Sequence, residues 1–133
     1  MNSSTTTSII IAVALIIGAM FLAKAGPSQS PGTNTPVNNV TSTNGKQIIE
    51  ISAKGGYSPR LSEAKADTPS VIRVKTNGTY DCSSYLVIPS VGYRSALPQT
   101  GVTDIEIPAQ KSGTILQGLC GMGMYNFQVK FTL

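Results

Sequence analysis

The chain contains no histidine. That absence removes imidazole from any site it could build, which excludes Ser-His-Asp hydrolysis and HExxH zinc chemistry. Whatever site exists must use sulfur, oxygen or backbone groups. Charge is also scarce: Lys and Arg number 10, Asp and Glu 6, and the net charge is +4 over 133 residues. The basic residues are spread from Lys24 to Lys130 without a cluster, whereas a nucleic-acid surface gathers cations on one stripe with aromatics between them. No nucleic-acid partner is expected. Paired carboxylates in a catalytic frame and a phosphate-cradling glycine loop are missing too, so the chain does not read as an enzyme. Cysteine is limited to Cys82 and Cys120, too few for a disulfide-stapled mini-protein but enough for one bridge or one two-thiolate site.

What is present begins with a nearly unbroken apolar run from Ile9 to Leu22. With Ser8 and Ala23 included, a helix here would be about 24 Å long at 1.5 Å per residue, slightly under a bilayer core. Ala23-Lys24-Ala25 has the small-x-small form of a signal cleavage site, yet Met1 to Thr7 carries no basic side chain. Residues 1–25 are therefore expected to be a membrane anchor or a signal peptide, forming an N-terminal apolar helix. Lys24 after the run would favour a cytoplasmic C-terminal side, but domains that follow a first apolar segment are commonly exported. The expected place is membrane-anchored outside the cytoplasm, or secreted or periplasmic if the segment is cleaved. Residues 26–45, with three prolines and almost nothing apolar to bury, read as a disordered linker.

From Lys46 the pattern changes to short alternating segments. Ile49, Ile51 and Ala53 alternate with polar residues, as do Ile72 and Val74, and then Ile105 and Ile107. Tyr85 to Ile88 is a short apolar strand stopped by Pro89. The last run places Tyr125, Phe127, Val129, Phe131 and Leu133 on one face. Short strands punctuated by Gly, Pro and Asn predict an all-β fold over 46–133, a small antiparallel β-sandwich.

The densest chemistry lies in Cys120-Gly121-Met122-Gly123-Met124, one thiol and two thioethers spaced by glycines. In an extended backbone alternate side chains share a face, so Cys120, Met122 and Met124 can converge on one point. Soft sulfur ligands select soft metals, above all Cu(I).

Residues 47–133 resemble a cupredoxin-like domain, and more narrowly its histidine-free branch in bacterial copper-handling and periplasmic iron-uptake proteins. The residues that carry the likeness are Gly56-Tyr57-Ser58-Pro59, Asp81-Cys82-Ser83-Ser84-Tyr85-Leu86-Val87-Ile88-Pro89 and Cys120-Gly121-Met122-Gly123-Met124-Tyr125. The resemblance implies a Greek-key sandwich with ligands from a mid-sequence loop and from the loop before the last strand. Cys82 would stand where the family's histidine usually stands. Cys120 would be the cysteine ligand, and Met122 or Met124 would supply a thioether. Blue-copper electron transfer uses two histidines and one cysteine, so an all-sulfur set points instead to cuprous storage, delivery or sensing.

Plainer readings compete. Outside the cytoplasm two cysteines in a small β domain usually pair, which would give a surface interaction domain stabilised by a Cys82–Cys120 disulfide and holding no metal. Methionine most often fills cores. Tyr57, Tyr85, Tyr93 and Tyr125 read as packing residues. An electron-transfer copper protein is the remaining alternative. The sequence-based expectation is a metal site of Cys82, Cys120, Met122 and Met124 binding copper as Cu(I). Its expected partners are the membrane, through the N-terminal helix, and a copper donor or acceptor protein.

Overall fold

The computed structural model describes residues 38–133. The expected N-terminal helix and most of the expected linker lie outside the described residues. Ten strands follow in order: β1 (Val40–Thr43), β2 (Lys46–Ala53), β3 (Tyr57–Ser58), β4 (Leu61–Lys65), β5 (Ser70–Asn77), β6 (Tyr85–Ile88), β7 (Tyr93–Ala96), β8 (Thr100–Ile107), β9 (Ile115–Cys120) and β10 (Asn126–Thr132). Single 3-10 turns at Cys82–Ser84 and Pro89–Val91 flank β6. Among the described residues no helix is long and apolar enough to cross a membrane.

The strands form two sheets. One runs β1-β2-β5-β8, with β3 added on β2; the other runs β4-β10-β9-β6-β7. Their inward faces meet in one core. Ile49, Ile72 and Ile105 lie in register across the first sheet, and Leu86, Leu116, Phe127, Val129 and Phe131 come from the second. The alternation expected for Ile49, Ile51, Ala53, Ile72, Val74, Ile105 and Ile107 matches their burial.

Three expectations need correction. The sandwich is mixed instead of wholly antiparallel, because β2 pairs parallel with β5 and β4 parallel with β10. The chain leaves β2 for the opposite sheet at β4 and returns at β5, so strands brought side by side by that crossing run the same way. The ordered sheet also starts before Lys46, since Val40–Thr43 pairs antiparallel with Lys46–Ile49. Asn44 and Gly45, at φ 52° and 77°, make the two-residue turn that a right-twisted hairpin favours. Finally, the last strand's inner face stops at Phe131: Leu133 is 94% exposed, and Tyr125 is half-buried beside the core.

The largest buried polar side chain is fully engaged. Gln47 is buried, donates to the Lys65 carbonyl at 2.7 Å and to Ser70 Oγ at 2.9 Å, and accepts from the Lys65 N–H at 2.8 Å. One side chain thus ties β2 to the end of β4 and the start of β5.

Candidate metal centre

Two segments distant in sequence meet at one end of the second sheet. β6 pairs antiparallel with β9, with Leu86 opposite Cys120. Cys82 lies in the 3-10 turn just before β6, so this register brings it to the end of β9. The two cysteines form a disulfide with Cα atoms 5.7 Å apart, across 38 residues of sequence.

Asp81 shapes the Cys82 side. Its carboxylate accepts the Ser83 N–H at 2.8 Å and the Ser83 hydroxyl, and its second oxygen accepts the Gly55 N–H at 2.8 Å. An aspartate capping a tight turn in this way satisfies donors the turn leaves free. These bonds, from the Ser83 hydroxyl first, then the Ser83 and Gly55 amides, hold the Asp81 carboxyl below its usual range. Tyr57, beneath the turn, is pushed up to about 12, by burial first and by the Asp81 charge second. Its ring packs edge-on against Phe127, with centroids 5.2 Å apart.

The Cys120 side is a closed loop. The Cys120 N–H donates to the Tyr125 carbonyl at 2.9 Å, and the Gly123 N–H donates to the Cys120 carbonyl at 2.8 Å. The Tyr125 N–H in turn donates to Cys120 Sγ at 3.3 Å. Gly123 takes φ +73°, and a Cβ on Gly121 would stand 2.9 Å from Tyr85 Cδ1, so each glycine has a separate reason to be there. The Tyr125 ring covers Gly56, whose added Cβ would lie 3.5 Å from it. The loop is preformed around the sulfur.

The four expected ligands divide into two pairs. Cys82 and Cys120 are together, Cys120 only 2% exposed and Cys82 half-buried against the core. Met122 and Met124 sit on the same loop but stand in solvent, 80% and 66% exposed. Neither fills the core, so the plain packing reading of these methionines fails. Among the described residues no group of three or more His, Cys, Asp or Glu is placed to hold a metal ion. The donor set, two thiols and two exposed thioethers, fits a soft monovalent ion when the cysteines are reduced.

Sequence reasoning named the supporting residues, with Tyr57, Tyr85 and Tyr125 as packing residues, but not the contacts they make. Asp81 was legible in principle, because Asp-Cys-Ser-Ser has the form of an aspartate-capped turn. The packing of Tyr85 on Gly121 and of Tyr125 on Gly56 had no local signal, since both contacts join separate elements.

The comparisons with known proteins agree with this fold. The profile described as "Cupredoxin-like domain" matches residues 11–133. One similar solved structure is a copper binding protein in its apo form, 24% identical with a TM-score of 0.66, covering 74% of this chain and 99% of its own. Another is the metal binding domain of the Streptococcus pneumoniae D39 Cu(I) exporting P-type ATPase CopA with Cu(I). It is 21% identical with a TM-score of 0.66, covering 77% of this chain and 100% of its own. Identities this low speak to the fold. No curated protein matches the chain. With a family profile that spans both sheets and the cysteine loop, the chain belongs to the cupredoxin-like domain family.

Proposed function

We propose that this chain is a Cu(I)-binding domain, tethered to a membrane or exported, that holds copper for storage, delivery or sensing. Cys82 and Cys120, once reduced, supply two thiolates, and Met122 and Met124 supply thioethers. The segment 1–25 serves as anchor or signal peptide, and the domain works outside the cytoplasm with a copper donor or acceptor protein. No catalysis is assigned to it.

One observation carries this reading. Two sulfurs from distant segments meet beside a preformed loop that leaves two methionines in solvent, where burial gives them no reason to be. Two of the similar folds are a copper binding protein and a metal binding domain with Cu(I), which supports the choice of metal. With no imidazole in the chain, the donor set disfavours Cu(II).

Titration of the reduced full-length chain with Cu(I) against a chromogenic cuprous chelator tests the proposal. Stoichiometric uptake that survives competition, and its loss in Cys120→Ser, are expected. Absence of uptake, or uptake that Cys120→Ser leaves unchanged, refutes it. A copper-edge absorption spectrum should show sulfur neighbours alone.

A second reading has its own observation, the Cys82–Cys120 bridge. A disulfide-locked interaction domain that binds no metal would show a bridge by intact mass and take up no copper after reduction.

A further inference from the structure

The bridge is lopsided. Cys120 is 2% exposed and belongs to the core, facing inward with Leu116 by the two-residue alternation of β9 and opposite Leu86 in register. Cys82 sits in a one-turn 3-10 segment and is only half-buried. A thiolate opening a disulfide must approach in line with the sulfur–sulfur bond, from behind the sulfur it attacks. Cys120 is closed into the core, and Cys82, in the turn before β6, is the more open of the two. The surface cleft of Tyr85, Val87, Arg94 and Leu119 touches Cys120 as well. Those residues are outward-facing on their strands, whereas Cys120 is one of the inward, buried positions of β9.

The leaving group is unequal too. The Tyr125 N–H points at Cys120 Sγ from 3.3 Å. Negative charge that develops on Cys120 as the bond breaks meets a donor already in place, fixed by the Cys120–Tyr125 and Gly123–Cys120 backbone bonds. A donor held toward an anionic atom costs no reorganisation when the charge appears. The Asp81 carboxylate, whose bonds go to Ser83 and Gly55, offers no such donor to Cys82. Accessibility and leaving-group stabilisation therefore point the same way.

We propose that Cys82 is a thiol-exchange site, the sulfur at which a thiol reductant attacks, with Cys120 as the leaving thiolate. A thiolate forms a new sulfur–sulfur bond to Cys82 Sγ. The Cys82–Cys120 bond breaks, and its electron pair goes to Cys120 Sγ, which then takes a proton from solvent. A second thiolate attacks the reductant's sulfur in this mixed disulfide, releases the Cys82 thiolate, and leaves as the oxidised reductant. In balance, two thiols become one disulfide and the bridge becomes two cysteine thiols. The mixed-disulfide state on Cys82 occupies one of the two thiols that Cu(I) would need. The exchange chemistry itself stands apart from copper, and only this gating consequence rests on the proposed function.

The test uses the oxidised full-length chain, without metal, and 2-mercaptoethanol as the probe. Samples are acid-quenched at early times, alkylated under denaturing conditions, and mapped by peptide mass. The mercaptoethanol adduct is expected on Cys82 and the alkyl label on Cys120, in about tenfold excess over the reverse pattern. Adduct mainly on Cys120, or equal on both, overturns the proposal. A second measurement compares the single thiols left in Cys120→Ser and Cys82→Ser, each reacting with an aromatic disulfide reagent. Cys82 should react about tenfold faster or more, since exposure governs thiol reactivity, and equal or inverted rates overturn the assignment. A chain that exchanges at Cys82 yet binds no Cu(I) would sink the function and keep this inference.

Discussion

Gly118 is the position where the structure makes its sharpest demand. It lies on β9, directly opposite Phe127 on β10, and a Cβ there would fall 2.2 Å from Phe127 Cε1, 2.3 Å from Cζ and 2.9 Å from Cδ1. Carbon contacts settle near 3.5–4.0 Å, so the ring would have to move by about 1.5 Å. Phe127 is fully buried and wedged against Tyr57, which leaves it nowhere to go in a close-packed interior. Overpacking of this kind costs about 3 kcal/mol, the upper end of its usual range. For a domain of this size each kcal/mol lowers Tm by about 4–8 °C, so Gly118→Ala should lose roughly 12–24 °C. Thermal melts of the oxidised chain, followed by circular dichroism, measure it. Adding Phe127→Leu to Gly118→Ala should recover part of the loss, a coupling of at least about 1 kcal/mol. A shift under about 4 °C, or no coupling, would show that the ring relaxes freely and that this reasoning about the core is wrong. Gly121→Ala is the internal contrast, because the Cβ there would meet Tyr85, which is 39% exposed and free to swing outward. Its stability cost should stay below about 1 kcal/mol.

Other outcomes follow from the same coordinates. Tyr57 is raised from 10.0 to about 12, so the folded state prefers the neutral phenol. That preference is fully present below pH 10 and is lost as pH rises toward 12, and Tyr57→Phe should flatten the alkaline loss of stability across that window. Met122→Leu and Met124→Leu should each leave stability within about 0.5 kcal/mol, as expected for exposed side chains. Together they should weaken Cu(I) binding about tenfold or more in chelator competition, and unchanged affinity would remove the thioethers from the site. Reducing the metal-free chain opens a loop of 38 residues, which by chain entropy costs about 4 kcal/mol as an upper figure. Denaturant melts with and without reductant should show that difference, and Cu(I) in excess should restore part of it by mass action.

Much of this was written into local pattern. The inward rows of β2 and β8 alternate, as β5 does from Ile72 on, and residue type alone places Ile49, Ile72 and Ile105 inside. The cysteine–methionine loop was visible because glycines isolate it from any core pattern. Other features were hidden for identifiable reasons. β4 turns Ser62 and Ala64 inward while Leu61, Glu63 and Lys65 face out, so an apolarity scan sees nothing there. β1 is a run of Val, Thr and Ser in a polar, proline-rich stretch, and composition masked what the Asn44-Gly45 turn announces. The parallel pairings depend on which sheet each segment joins, a non-local choice that no window of sequence contains. The same holds for the Tyr125 N–H aimed at Cys120.

The register of Leu86 against Cys120 also sets a timetable. The half of the centre held before β6 is synthesised 38 residues ahead of its counterpart on β9. Long-range strand pairings form slowly, after loop closure has been overcome. Until those 38 residues have followed, Cys82 is without its mate, and the two sulfurs meet only once β6 and β9 have paired.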